Sequence, residues 1–102
     1  MTLSIKKIAI IGAGAFGFAL AKIIGDKHSD KTIYLFDAQT ECIKKIKATR
    51  RHPVWHKNIK LAASVEATPS LEIAVAASDL IILAVPSACL RQALRDLKKY
   101  LK

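Results

Sequence analysis

The chain has 102 residues, 52% hydrophobic and 25% charged, with 4 Gly and 3 Pro; this is one domain able to bury a core, neither disordered nor low in complexity, and too short for two independently packed cores. Its 17 Lys and Arg against 8 Asp and Glu leave a net charge of +9, which favours anionic partners such as phosphates, nucleotides, nucleic acid or an acidic membrane face without choosing among them. Two cysteines, Cys42 and Cys89, have neither the number nor the spacing of a disulfide framework or a zinc site, so a reducing, cytoplasmic compartment is expected.

Ile5 to Ile11 is β-branched and mostly apolar and ends at Gly12, as a strand buried on both faces of a parallel sheet would. Lys6-Lys7 and the apolar stretch running to Ala19-Leu20-Ala21 imitate a secretory signal with a small-residue cleavage site, yet a strand, a turn and a helix fit the same residues better. No apolar run reaches the roughly 18 residues of a membrane span. From Ala15 to Asp26, Phe16, Ala19, Leu20, Ile23 and Ile24 recur at helical spacing, and Gly25 weakens the last turn. Thr32 to Phe36 predicts a second strand, and Thr40 to Thr49 a second helix with Ile43 and Ile46 inward and Lys44, Lys45 and Lys47 in water.

Arg50 to Lys60 is polar, broken by Pro53 and aperiodic, which predicts a loop near the sheet rim. A short strand near Ser64 to Ala67 leads to a helix capped by Thr68 or Ser70, with Leu71, Ala74 and Val75 on its apolar face. Asp79 to Val85 predicts a fourth strand, stopped by Pro86. Ser87 is expected to cap a last helix, with Leu90, Ala93, Leu94, Leu97 and Leu101 on one face and Lys98, Lys99 and Lys102 at its negative end.

Strands alternating with helices predict an α/β fold: a Rossmann-like, partly complete doubly wound parallel sheet of about four strands with helices on both faces. Gly12-Ala13-Gly14-Ala15-Phe16-Gly17 matches G-x-G-x-x-G between a strand and a helix. In that context Gly12 permits a tight turn, Gly14 admits a pyrophosphate close to the backbone, and Gly17 lets helix and strand pack closely. The unpaired amides and dipole of the helix N-terminus attract the phosphates. Asp37 ends the second strand about 20 residues beyond Gly17, the spacing of an acid that accepts from an adenosine ribose. A carboxylate there repels a 2′-phosphate, and Ala38 and Gln39 bring no cation, so NAD is expected over NADP.

KIAIIGAGAFGFALA (Lys7 to Ala21) resembles the opening of bacterial NAD(P)-dependent glycerol-3-phosphate dehydrogenase, as do IKL, AT, SLEIA, SDLIILAVPS and LR between Ile59 and Arg91. The resemblance implies that Ala15 and Phe16 contact the cofactor, that Trp55 stands where the family carries Tyr or Phe, and that Val85, Pro86 and Ser87 line the nicotinamide side. It also implies reversible hydride transfer between glycerol 3-phosphate and dihydroxyacetone phosphate, feeding phospholipid synthesis. The family's catalytic Lys and helical substrate domain fall beyond Lys102, so the 102 residues are expected to form a truncated N-terminal domain that binds without turnover. The chain departs from the family at Ala15 (a common Ser), Phe18 (a small Thr), Ala38-Gln39 (a basic residue in many members) and His56-Lys57 (Leu-Pro).

His28, His52 and His56 read as surface histidines, Cys42 and Cys89 as packing residues, and no residue set reads as a metal site or a catalytic group. Lys44, Lys45, Lys47, Arg50 and Arg51 read as a solvated face, since the aromatic interleaving of a nucleic-acid surface is lacking. The alternative to cofactor binding is an association module. The fourth strand would be an open apolar edge, which predicts a homodimer or higher oligomer.

Overall fold

Lys7–Ile11 (β1) is a KIAII strand whose last four residues are buried, because β-branched side chains suit a pleated surface covered on both sides. The structure is a computed structural model and describes residues 5–76 and 78–101. The other elements are α1 (Ala15–Lys27), β2 (Thr32–Phe36), α2 (Thr40–Thr49), β3 (Val65–Thr68), α3 (Leu71–Val75), β4 (Leu80–Leu83) and α4 (Ser87–Lys98). All pairings are parallel and the strand order is β3-β2-β1-β4. The chain moves outward from β1 through β2 to β3, then crosses to the other side of β1. The direction of winding therefore reverses between β1 and β4, where an open α/β sheet leaves a crevice at the strands' carboxyl ends.

Alternation along β1 divides the core in two. Ile8 and Ile10 join Phe18, Ala21, Ile33, Leu35, Ile43 and Ile46 beneath α1 and α2. Ala9 and Ile11 point the other way, to Ala74, Val75 and Leu97 of α3 and α4. Helices thus cover both faces. Gly25, rather than only weakening a turn, is a contact point: a Cβ there would lie 2.7 Å from Val65 Cγ2.

β2 and α2 have the expected limits, and several other limits differ. β1 starts at Lys7 rather than Ile5, and the Lys6 and Lys7 amides donate to Asp79 Oδ2 at 2.8 and 3.0 Å. Asp79 thereby precedes β4 as an anchor instead of belonging to it, and β4 is Leu80–Leu83, shorter than expected at both ends. β3 is shifted one residue, to Val65–Thr68. Ser70, not Thr68, caps α3, accepting from the Ile73 amide at 3.2 Å. Ser87 is the first residue of α4 and caps nothing; the cap position is Pro86, whose fixed φ suits it. Only Leu97 of α4 is buried; Leu90 and Leu94 are exposed, and Leu101, expected on the same face, is exposed beyond the helix end. Among the described residues β4 is an edge strand, so the expected apolar face has little sheet to cover. Lys102 lies outside the described residues.

Candidate functional site

The crevice at the carboxyl ends of β1 and β4 opens into a cleft of about 1090 Å³. Gly12 to Phe16, Asp37, Gln39, His52 to Trp55, Val85 and Pro86 are on its wall, with Val54 and Trp55 exposed as a rim. Of the expected site residues, Gly12, Gly14, Ala15, Phe16, Asp37, Trp55, Val85 and Pro86 meet here. Gly17 and Ser87 are not on the cleft wall.

The three turn glycines have different causes. Gly12 has φ +115°, and a Cβ on it would lie 2.6 Å from the Ala84 carbonyl oxygen, so conformation and packing both require glycine. At Gly17 a Cβ would fall 1.8 Å from the Gly12 carbonyl oxygen, which makes this glycine the means by which α1 meets the turn. Gly14 is unlike both. Its φ is −78°, open to any residue, and a Cβ would meet nothing within 4 Å. No contact within the chain calls for a glycine here.

Gly14 is also the N-cap of α1, with no side-chain cap and no acidic residue in the first turn. The first amides of α1 thus remain open to an anion. The preceding residue is held at both ends: Asp37 Oδ2 accepts the Ala13 amide at 2.7 Å, and the Ala13 carbonyl lies 2.8 Å from His52 Nε2. Asp37 Oδ1 accepts the Gln39 amide at 2.8 Å. An ionised carboxylate has about four acceptor positions, so capacity for sugar hydroxyls remains.

His52 corrects an expectation. It is 4% exposed rather than a surface residue, and its Nδ1 lies 3.0 Å from the amides of both Val54 and Trp55. Its ring meets Phe18 edge-on at 5.6 Å, and Phe18 also stacks with His56 at 6.4 Å and 11°. The bulky Phe18 is accommodated without exposure by these two histidines. Two departures from the resembled family, Phe18 and His56, therefore meet in space. Val54 and Trp55 are left exposed as an apolar rim.

Three further expectations change. Arg50 is not part of a solvated face: its guanidinium donates to the carbonyls of Leu61, Ala62 and Val65, tying the end of α2 to the approach to β3. Lys45 lines the cleft, a cation that the local reading of Ala38 and Gln39 does not reveal. Cys89 is exposed rather than packed. Cys42 is half-buried on the cleft wall, and burial, with a smaller effect of the Asp37 charge, pushes its thiol up despite the opposing Lys45. A raised pKa disfavours the thiolate. Among the described residues no His, Cys, Asp and Glu cluster could hold a metal ion, and no helix is long and apolar enough to cross a membrane.

The sequence comparisons point to one family, and the structural comparisons show the same fold. Residues 7–102 match the family model described as NAD-dependent glycerol-3-phosphate dehydrogenase N-terminus. Proteins named glycerol-3-phosphate dehydrogenase (NAD(P)+) from Bacillus pumilus and Geobacter metallireducens are 34% and 35% identical over 88% and 95% of this chain. The chain spans only 26% and 28% of their lengths. The crystal structure of glycerol-3-phosphate dehydrogenase from Coxiella burnetii shares the fold at a TM-score of 0.89 with 22% identity, over 95% of this chain and 29% of that one. The Plasmodium falciparum enzyme aligns at 0.84 with 21% identity, covering 94% and 29%. The chain therefore belongs to the family of the NAD-dependent glycerol-3-phosphate dehydrogenase N-terminus, and its four-stranded sheet is that family's Rossmann-like fold.

Proposed function

We propose that the chain is the cofactor-binding part of a glycerol-3-phosphate dehydrogenase and takes NAD in the cleft between β1 and β4. Gly14 carries this reading, since its lack of a side chain has a use only if something approaches the backbone from the cleft. The diphosphate rests against Gly14, Ala15 and Phe16 at the uncapped start of α1. Asp37 accepts from the adenosine ribose and disfavours a 2′-phosphate, which supports NAD over NADP even with Lys45 on the cleft wall. Val85 and Pro86 flank the nicotinamide side, and Trp55 contributes the apolar rim.

The nicotinamide ring supplies the hydride chemistry, and these residues bind and orient it. The reaction proposed for the whole protein is glycerol 3-phosphate oxidation to dihydroxyacetone phosphate, in the cytoplasm. Titration calorimetry with NAD and NADP tests the binding step: saturable NAD binding, stronger than NADP binding, is expected, and no heat with either cofactor refutes it.

A second reading concerns association. β4 occupies a sheet edge, with Leu80 exposed and Ile81 to Leu83 half-buried. Unpaired strand groups beside apolar side chains favour pairing with a second copy.

A further inference from the structure

Resting on the cofactor reading above, we propose that His52 is a positioning residue for the dinucleotide, locking the glycine turn and the Trp55 rim into one rigid seat. Its Nδ1 faces two amide donors, Val54 and Trp55, and so must be the unprotonated nitrogen; the proton is on Nε2, which donates to the Ala13 carbonyl. One buried ring thereby joins backbone segments 39 residues apart in sequence. A ring serving the core alone would direct its nitrogens to core groups. Nε2 also lies 3.5 Å from Cys42 Sγ, but the shorter contacts of both nitrogens, at 2.8 and 3.0 Å, are to backbone that lines the cleft.

The consequence for binding follows from peptide geometry. In a trans peptide the C=O and the next N–H point in opposite directions, so the bond from His52 to the Ala13 carbonyl fixes the direction of the Gly14 amide. A carbonyl that accepts a hydrogen bond also polarises its peptide, making that amide a stronger donor. With Asp37 holding the Ala13 amide, the peptides on both sides of Ala13 are set before any ligand arrives. The side-chain entropy and backbone ordering that a loose turn would lose on binding are already spent.

Replacing the ring by Ala removes both tethers and a buried group, confusing binding with folding, so two half-variants make the test. His52→Asn can place Oδ1 near the Nδ1 position and keeps the rim tether, but is too short to reach Ala13. His52→Gln can place an amide nitrogen near Nε2 and keeps the turn tether, but loses the rim acceptor. Each is expected to weaken NAD binding by about tenfold, the worth of one well-placed hydrogen bond. Amide exchange should speed up at Val54 and Trp55 in the Gln variant only, and emission from Trp55, the one tryptophan, should shift with it.

In the unsubstituted chain, imidazole nitrogen shifts should show the Nε2–H form, a readout that needs no variant. The Nδ1–H form overturns the proposal. So does NAD binding within twofold of the unsubstituted chain in both variants, or a loss of affinity that follows the thermal midpoint with no local change in exchange. Failure of the unsubstituted chain to bind NAD overturns the cofactor reading itself, and this proposal with it.

Discussion

The Asp37 carboxylate accepts the backbone amide of Ala13 at 2.7 Å, so the acid at the end of β2 is joined to the glycine turn at the end of β1. On the proposed reading, one side chain shapes the phosphate seat and accepts from the ribose beside it. The two tasks use different acceptor positions of one carboxylate.

Replacing Asp37 with Ala removes both. NAD affinity is expected to fall about tenfold or more, since hydrogen bonds to a charged group are worth about 1.5–3 kcal/mol. Discrimination against NADP should narrow because the charge that repels its 2′-phosphate is gone. Parallel calorimetric titrations with the two cofactors provide the check, and an unchanged affinity ratio counts against the assigned role.

Phe18 fills space that a smaller residue would leave to His52 and His56. Phe18→Ala is expected to cost about 3–5 kcal/mol of folding stability, the usual range for a buried phenylalanine. The Phe18–His56 pair should show a coupling of about 0.5–1.5 kcal/mol in a double-mutant cycle read by urea denaturation. A coupling near zero means that the rings are neighbours without mutual support.

Hydrogen bonds from the Lys6 and Lys7 amides hold the Asp79 carboxyl below the usual carboxylate range against the opposing effect of desolvation, with the Lys6 and Lys31 charges adding the least. A carboxyl whose pKa is lower folded than unfolded contributes stability that is fully present above its unfolded value, about 4, and is lost as pH falls through the folded value. The Asp79→Asn variant should be less stable than the parent at neutral pH. The difference should shrink as acid titrates the parent below about pH 4. Urea midpoints across that range measure it; a gap that does not change with pH contradicts the assignment.

The open side of β4 predicts self-association. Equilibrium sedimentation at tens of micromolar should show dimers or larger species, and Leu80→Lys, which adds a charge at an already exposed position on that strand, should shift them to monomers. A monomer at the start refutes the edge reading.

The alternating pattern and the strand-to-helix change at Gly12 were legible from residues alone because each is a short-range property. Hence β2, α2 and the glycine turn stand where periodicity puts them. His52 was not legible. A histidine between Arg51 and Pro53 carries no periodicity, and its partner Ala13 becomes a neighbour only after the sheet forms. Its sole local signal was its place in an aperiodic segment expected near the rim. Asp79 reads as the first residue of an apolar strand because a local pattern cannot reveal that the start of β1 lies beside it. Leu90, Ala93, Leu94 and Leu97 of the expected stripe lie on α4 while Leu101 lies beyond it, and the burial of the stripe depends on how much sheet it faces, which a stripe does not encode.

The central claim is that Gly14 lacks a side chain for the sake of a diphosphate. The most direct measurement is calorimetric NAD titration of the Gly14→Val variant beside the unsubstituted chain, with a urea melt of each. Since a Cβ at Gly14 meets no protein atom within 4 Å, folding stability should change little, by about 1 kcal/mol at most, while NAD affinity drops at least about tenfold. Equal affinity in the two chains would show that nothing approaches the turn at Gly14, and the assigned site would be wrong.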